Sequence, residues 1–433
     1  GISVSTRIEI NGQISTDPGG NLIIENGLLQ INNSGTLSCN HSNKLNIGRN
    51  AGILINGARF TTGNFSIENQ GLFQVEEDSQ VSLGNSSGNS LLIRNSGTYL
   101  MNGGTVDIAG RFQVSGGLAE INNGTLNLNT VGHNSSTIAT FDMSRSSDLI
   151  MTGGTIVFYN TNGTGNLDLK IINGVGGSKV ISGGEFLFGS SVTSNESVFK
   201  VSSVAEFNDF SIYSDKNIQI FAESDILISN QLAINDGIID VSTSSKTVFV
   251  SNASTGSLTN TTGYISGNLS RAIANVGDMT YLFPVGNSTN YTPIELSFLA
   301  LSSAGNITIT SNNGDHPLLN TSLLNEDRSV NNYWQFINSG VSFANLSGIF
   351  SFPIDLGDGG IYKPGVYSNS SWTYPNTPSS SSSSVSFDGI TSIGNLTFAL
   401  AECSRPNPPL AKNVIACFDG TTKTASADLT EGD

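Results

Sequence analysis

Short alternations of apolar and polar residues fill the first 265 positions of the chain. Segments such as "GLFQVEEDSQVSLG", "GTLNLNT" and "DILISNQLAINDGIIDV" alternate over four to seven residues. A period of two predicts half-buried β-strands, and the Asn-Gly, Gly-Gly and Asn-Ser-Gly steps between them are typical of tight turns. No segment shows the 3.6-residue period and the end signals of a helix. The pattern therefore predicts an all-β structure.

Internal repeats favour stacked coils over hairpins. "IENGLLQI" recurs as "IENQGLFQV", "NNSGTL" recurs as "RNSGTYL", and "NGGTVDI" recurs as "NNGTLNL". The distances between the members of each pair are close to multiples of ~20–22 residues, which is typical of a stacked repeat. The separations are 43 residues from Asn26 to Asn69, 62 from Gly35 to Gly97, and 20 from Gly104 to Gly124.

We predict a right-handed parallel β-helix, a solenoid, over residues 1–266. It should have about 12 coils, with apolar ladders of Leu, Ile, Val and Phe inside and with Asn and Gly at the corners. Stacked Asn side chains should hydrogen-bond from coil to coil. Antiparallel β-sandwiches are the alternative, because they also place a strand every ~8–12 residues.

Prolines and aromatic residues concentrate after about residue 265, beginning with "YLFPVGNSTNYTPIEL" at 281–296. Both tryptophans, Trp334 and Trp372, lie in this part. Large aromatic side chains anchor the centre of a sandwich, so we predict a separate β-sandwich over residues 267–401. The serine run at 378–386 is predicted to be a mobile loop.

The proline-rich "SRPNPPLAKN" predicts a stiff linker over residues 402–413. Residues 414–433 begin another strand–turn unit that is too short to bury a core, so we expect either that the chain continues past Asp433 or that this tail is poorly ordered. Cys403 either pairs with Cys417, pairs with a residue further on, or stays free.

Composition excludes several classes of partner. Only 12% of the 433 residues are charged and the net charge is −16, and we find no cluster of basic residues, which argues against a nucleic-acid partner. No apolar run approaches the ~18 residues of a membrane span. The start at Gly1 suits a processed N-terminus.

A search for catalytic residues finds no matching motif. A polygalacturonase-like hydrolase would show an Asp-Asp pair, a Gly-His-Gly and an Arg-x-Lys, and none of these occurs. The histidines are too far apart for a transition-metal site, and the acidic residues of the first part are scattered, with the "EED" run expected in a solvated loop. We predict no catalytic, cofactor-binding or metal-binding residues and no enzymatic activity, with His133 of "GHN" at the surface or in a loop. The residues considered are His41, His133, His316, Glu76, Glu77, Asp78, Asp107, Asp142 and Asp148.

Calcium is the one ion that the sequence leaves open. "DLGDGG" at 355–360 and "NNGDH" at 312–316 are oxygen-rich, which suits calcium. Neither has the spacing of an EF-hand, and plain turns are the favoured interpretation.

Residues 232–296 resemble a module of very large secreted surface proteins of Bacteroidetes. In that family a β-helical stretch ends with Gly-x-Ile/Val-x-Gly-x-Leu-x-Arg, followed by Phe-Pro-Val-Gly and Tyr-x-Pro. The tail "PPLAKNVIACFDGTTKTASA" is similar to the start of Ig-like adhesin repeats, with Phe418 where that family usually has Tyr. The matching positions here are Gly263, Ile265, Gly267, Leu269 and Arg271, then Phe283 to Gly286 and Tyr291 to Pro293.

The resemblance implies a protein exported to the outer surface by type IX secretion, with relatives that are adhesins, some of them used in gliding. The first hypothesis is therefore a secreted cell-surface adhesin that binds glycans or abiotic surfaces through multivalent contacts. Its other partners would be the outer-membrane secretion machinery and further repeats of the same polypeptide. A β-helix polysaccharide lyase or hydrolase and a structural fibre or stalk subunit are the alternatives.

Overall fold

A computed structural model describes residues 6–16, 19–40, 44–172 and 176–403. This part of the chain is all β, with only three single 3₁₀ turns at Thr255–Ser257, Leu319–Thr321 and Ile354–Leu356. The prediction of an all-β structure is confirmed. Among the described residues, no helix has the length and apolar character required to cross a membrane.

The strands are numbered in chain order. The first nineteen are β1 Arg7–Ile10, β2 Gln13–Ser15, β3 Asn21–Asn32, β4 Thr36–Cys39, β5 Lys44–Asn56, β6 Arg59–Thr62, β7 Ile67–Asn69, β8 Leu72–Val75, β9 Gln80–Leu83, β10 Ser90–Arg94, β11 Thr98–Met101, β12 Thr105–Ile108, β13 Arg111–Ser115, β14 Leu118–Ile121, β15 Thr125–Leu128, β16 Phe141–Met143, β17 Asp148–Phe158, β18 Leu169–Ile171 and β19 Lys179–Phe188. The others are β20 Val198–Ser203, β21 Phe207–Ile212, β22 Gln219–Ala222, β23 Ile226–Ile234, β24 Ile238–Asp240, β25 Thr247–Val250, β26 Leu258–Asn260, β27 Tyr264–Ser266, β28 Asn268–Ile273, β29 Met279–Phe283, β30 Val285–Gly286, β31 Ile294–Leu299, β32 Gly305–Asn313, β33 Leu324–Ser339, β34 Asn345–Ser351, β35 Lys363–Ser368, β36 Ser371–Thr373, β37 Ser384–Ile390 and β38 Leu396–Cys403.

The chain divides into two compact units. The N-terminal unit holds the residues up to Lys246 together with Leu258–Gly263. The C-terminal unit holds Thr247–Ser257 together with the residues from Tyr264 onward. The predicted linker and the predicted repeat at 414–433 lie outside the described residues, except that β38 continues to Cys403.

The strands of the N-terminal unit stack in parallel in three ladders. Ladder A joins β1, β3, β5, β8, β11, β14, β17 and β19. Ladder B joins β2, β4, β6, β9, β12, β15, β17, β19, β21, β23 and β26. Ladder C joins β3, β5, β7, β10, β13, β16, β18, β20, β22 and β24. The fold is a parallel β-helix, with a solenoid of about 12 turns, as predicted.

Apolar side chains fill the interior of the coils. A column of aromatic rings runs through the interior and begins at Phe60. The ring centroid of Phe60 lies 6.1 Å from that of Phe73, and the ring contacts continue through Tyr99 and Phe112. Each ring is shielded from water by the coils before and after it, so the burial of apolar area, at ~25 cal/mol per Å², stabilises the stack. In ladder B the buried inward positions are Leu37, Phe60, Val81, Val106, Leu126, Ile156, Phe186, Phe210 and Leu232.

Two of the three sequence repeats are equivalent in the coils. Thr105 pairs with Thr125 in ladder B, one coil apart, and "LLQI" lies two coils from "LFQV" in ladder A through their shared partners in β5. The equivalence of "NNSGTL" and "RNSGTYL" is wrong, because the first leads into ladder B and the second into ladder A. They share only a turn, in which Gly35 and Gly97 each donate a backbone hydrogen bond to the residue three positions earlier.

Strand pairing in the C-terminal unit changes from parallel to antiparallel at β28. This strand pairs in parallel with β25 on one side and antiparallel with β32 on the other. Beyond it, β32, β33, β38, β35 and β36 pair antiparallel, and β29, β31, β34 and β37 form a separate four-stranded antiparallel sheet.

The serine run is a hydrogen-bonded turn and a strand, which corrects the prediction of a mobile loop. Ser379 N donates a 2.7 Å hydrogen bond to Ser386 Oγ, and Ser381 N donates one of 2.8 Å to the Ser384 carbonyl oxygen. The last three residues of the run, 384–386, belong to β37. Serine hydroxyls close turns by bonding to nearby backbone groups, which a count of residue types does not reveal.

Candidate functional site

The outward side of ladder B presents regular rows of hydroxyl and amide side chains. Thr105, Thr125 and Thr155 are register partners in successive coils, and we call them the threonine row. In the adjacent row, Asn127 Nδ2 donates a 2.7 Å hydrogen bond to Asp107 Oδ1. Neighbouring strands lie ~4.8 Å apart, so the hydroxyls of the threonine row repeat at about that spacing along the outward side of ladder B.

The outward side of ladder A carries aliphatic side chains as well as polar ones. Leu54 and Leu100 are each one register step from Gln74, and Ile150, 36% exposed, is partnered with Glu120. The predicted apolar ladders fill the interior, and these residues are additional: successive side chains of a strand point to opposite faces, so Leu54 and Leu100 lie on the outward face beside inward apolar neighbours. This face alternates amide or carboxylate side chains with aliphatic ones.

One corner of the β-helix is closed by a chain of side-chain hydrogen bonds. Asn102 donates to Glu76 (2.9 Å), Asn122 donates to Asn102 (3.0 Å), and Thr152 donates to Asn122 (2.7 Å). The prediction that Asn side chains bond from coil to coil is confirmed. Glu76 of the "EED" run therefore has a structural role, while Glu77 and Asp78 are exposed in the turn.

The outward side of ladder C brings charges together that lie far apart in the sequence. Asp142 is buried and is the register partner of Lys170. Burial raises the pKa of the Asp142 carboxyl, and the charges of Lys170 and Arg111 oppose that rise. A carboxyl with nearby cations is suited to acid–base chemistry, but it is equally suited to holding adjacent coils together.

The carboxyl group of Asp168, on the same side of ladder C, is hydrogen-bonded to backbone N–H groups. It is 1% exposed, and its two carboxyl oxygens accept hydrogen bonds from the backbone N–H of Asn162 (2.6 Å) and Lys200 (2.8 Å). Burial raises its pKa to about 7, against the effect of these hydrogen bonds. Asp168 closes the loop before β18, and Asp148 likewise accepts a backbone hydrogen bond, from Ser178 N (2.7 Å).

His133 lies in a loop, as one part of the prediction had it, but it is buried there rather than at the surface. Its Nε2 lies 3.2 Å from the Ile138 carbonyl oxygen, and its pKa is lowered mainly by burial. A lone polar residue in a glycine-flanked loop gives no signal of burial, because the packing comes from a loop that returns over it. His41 lies outside the described residues.

The two oxygen-rich loops meet at Ser329. The Ser329 hydroxyl donates to Asp315 of the first loop, and Ser329 N donates a 3.1 Å hydrogen bond to Asp358 of the second. Burial and the neighbouring charges of Asp358 and Asp327 raise the pKa of Asp315. The described residues contain no group of three or more acidic, His or Cys side chains suited to hold a metal ion, and calcium stays a prediction.

His316 of the first loop lies among aromatic rings. Its ring centroid is 5.5 Å from that of Tyr333 and 5.1 Å from those of Tyr367 and Trp372. Nδ1 accepts a 3.1 Å hydrogen bond from Leu318 N, and burial lowers the pKa of the ring. The imidazole therefore packs as a neutral ring.

Arg271, the last residue of the Gly-x-Ile-x-Gly-x-Leu-x-Arg motif, is fully buried. Its guanidinium donates to the carbonyl oxygens of Leu282 (2.6 Å), Thr255 (3.1 Å) and Ser254 (3.2 Å). The Tyr281 ring centroid lies 5.2 Å from its Cζ, and burial lowers the pKa to about 10, so the side chain is charged at neutral pH. A guanidinium that spans three carbonyl groups ties separate loops together.

The Phe-Pro-Val-Gly and Tyr-x-Pro segments pack against the same region. The Pro284 carbonyl oxygen accepts a 2.9 Å hydrogen bond from Ile265 N, and Tyr291 stacks on Tyr264 with centroids 5.6 Å apart. A Cβ at Gly286 would lie 2.5 Å from the Tyr264 ring, so only glycine fits there. These contacts give the motif a structural role within the C-terminal unit.

No protein-family model, curated protein or solved structure matches the chain. The fold and the side chains on its faces therefore carry the functional argument.

Sequence reasoning missed the threonine row, although its signal was present. Thr105 and Thr125 stand at the same place in the repeats "NGGTVDI" and "NNGTLNL", so register alignment of that pair points to a row. The place of Thr155 in the row could not be read from the repeat, because its coil is ten residues longer. Val106 pairs with Leu126 after 20 residues, whereas Leu126 pairs with Ile156 after 30.

Proposed function

We propose that the chain is the whole or a distal part of a secreted cell-surface adhesin that attaches to glycans or to abiotic surfaces and has no catalytic activity. The observation that supports it is the outward side of ladder B, where the threonine row repeats a hydroxyl in each of three coils. Each contact of such a row is weak, but regular repetition multiplies the strength of attachment. The apolar and amide alternation on ladder A adds a face for less polar surfaces.

The resemblance at 263–293 supports a surface protein of Bacteroidetes exported by type IX secretion, with further repeats and the outer-membrane secretion machinery as partners and gliding as one use. We also propose that the β-helix is right-handed and that the two antiparallel sheets of the C-terminal unit form a β-sandwich. Trp334 and Phe350, from opposite sheets, support the sandwich with ring centroids 4.7 Å apart.

Attachment under flow tests the proposal. Beads that carry the chain are allowed to settle on glycan-coated and on bare silica surfaces, and the shear that detaches them is measured. A triple variant with Val at 105, 125 and 155 keeps the shape of the row but removes its hydroxyls, and we expect easier detachment. The matched variant with Ser at the same positions keeps the hydroxyls and should hold like the wild type. Failure of the wild-type beads to attach to any surface at high density would overturn the proposal.

A further inference from the structure

A groove of about 920 Å³ opens on the C-terminal unit. Its lining includes residues 373–375 and 389–395, together with the buried side chains of Val366 and Leu396. The volume is near the upper end of the ~300–1,000 Å³ typical of ligand sites. The groove thus has room for a segment of a chain molecule rather than for a single small group.

The sides of the groove are fixed in place by hydrogen bonds. Asn338 Nδ2 donates a 2.8 Å hydrogen bond to the Ile393 carbonyl oxygen, and Ser368 Oγ donates one of 3.3 Å to that of Asn395. Tyr374, another lining residue, accepts at its Oη a 2.7 Å hydrogen bond from Leu323 N. Ordering of loops on binding costs free energy, and these bonds reduce that cost.

The chemistry of the lining selects a class of ligand. None of the fourteen lining residues is Asp, Glu, Lys, Arg or His, so the groove offers no ionic partner to a carboxylate, phosphate or ammonium group. Asn369 and Asn395 supply amides, and Thr391 and Ser392 supply hydroxyls, all of which both donate and accept. Groups of this kind match the hydroxyls of a sugar.

Tyr374 supplies the apolar surface that a sugar also needs. It is 38% exposed, and its hydroxyl is held by the backbone, so the ring is fixed while it lines the groove. The C–H face of a pyranose packs on an aromatic ring, and a fixed ring loses little entropy when it binds. We propose that this groove is a binding site for an uncharged oligosaccharide, with Tyr374 as the stacking residue. The inference rests on the proposed function, because it names the class of glycan and the contact residues of the adhesin.

Calorimetric titration of the full chain tests the site. The probes are maltohexaose, cellohexaose and xylohexaose, which are uncharged, with hexagalacturonate as the charged comparison and an array of uncharged peptides as the alternative class. We expect at least one uncharged hexasaccharide to bind. Tyr374→Ala should raise the Kd for that sugar about tenfold, because one aromatic contact is lost. Tyr213→Ala, a half-buried tyrosine of the N-terminal unit, is the matched control and should bind like the wild type.

A second variant guards against misfolding of the first. Thr391→Trp keeps Tyr374 and fills the groove from an exposed position, and we expect it to abolish binding while its thermal unfolding stays that of the wild type. The inference is overturned if no uncharged hexasaccharide binds, if both variants bind normally, or if only hexagalacturonate or peptides bind. Bead attachment is measured in parallel. If the beads attach but no sugar binds, the oligosaccharide site is overturned and the proposed adhesin function stands. If a sugar binds but the beads do not attach, the adhesin function is overturned and the oligosaccharide site stands.

Discussion

Arg271 Nη1 donates a 2.6 Å hydrogen bond to the carbonyl oxygen of Leu282, eleven residues further along the chain. The same guanidinium bonds to the carbonyl groups of Ser254 and Thr255. Arg271 lies in β28, where parallel pairing gives way to antiparallel pairing. The residue thus secures the loops on either side of that change.

We expect Arg271→Met to lower the free energy of unfolding of the C-terminal unit by about 3 kcal/mol, because it leaves buried carbonyl groups without donors. Urea unfolding followed by tryptophan fluorescence measures this, since both tryptophans lie in that unit. Arg145→Met, at an exposed position, should change little. A loss for Arg271→Met as small as that of the control would contradict a structural role for the motif.

The aromatic column of the β-helix gives a second prediction. Phe186 is fully buried, with its ring centroid 6.0 Å from that of Phe141 and 4.9 Å from that of Phe207. Phe186→Ala should cost about 4 kcal/mol through lost burial and the cavity it leaves. Urea unfolding followed by circular dichroism is the measurement, and Glu185→Ala, on the outward side of the same strand, is the control. If the two variants unfold at the same urea concentration, the inward assignment of Phe186 is wrong.

The sequence predicted the β-helix and its corner hydrogen bonds because both follow from local pattern. Period-two alternation fixes which residues face inward, and the Thr105–Thr125 repeat fixes one register step. The failures come from longer range. "NSGT" recurs because the same turn serves two different corners, and the burial of His133 depends on a loop that returns over it. The groove beside Tyr374 needs segments 366–375 and 389–396 side by side, which no local pattern encodes.

Asp168 makes the stability of the β-helix depend on pH. Its pKa is raised by burial to about 7 in the folded chain, above the ordinary ~3.9 of the unfolded chain. The stabilisation is complete at low pH and is lost as the pH rises through 7, because the folded state must then bury a charge. Between pH 6.5 and 8.5 we expect Asp168 alone to account for a loss of about 1 kcal/mol in the free energy of unfolding, measured as the difference in slope between the wild type and Asp168→Asn.

The variant Asp168→Asn should remove that slope, and Asp215→Asn, at an exposed position, should keep it. His133 has the opposite sign: burial lowers its pKa, so its contribution is lost as the pH falls below the usual ~6.5. His133 and His316, whose pKa values are both lowered by burial, titrate partly in the same window with this opposite sign. The contribution of Asp168 is therefore taken from the difference between the wild type and Asp168→Asn. A wild-type slope that is unchanged in Asp168→Asn would show that the two backbone N–H groups keep this carboxyl ionised.

Asp142 provides the test of the enzymatic alternative. Burial raises the pKa of its carboxyl, and the charges of Lys170 and Arg111 oppose that rise. An acid–base reaction on the outward side of ladder C would use this carboxyl. Under the adhesin proposal the wild type releases neither reducing ends nor unsaturated products from polygalacturonate or alginate. Asp142→Asn should attach to surfaces like the wild type and change the free energy of unfolding by no more than about 1 kcal/mol, because the amide removes both the cost of burying the charge and its attraction to the cations. Asp107→Asn, which alters a carboxylate of ladder B, is the control. Release of product by the wild type and by Asp107→Asn, but not by Asp142→Asn, would establish a polysaccharide-degrading enzyme instead.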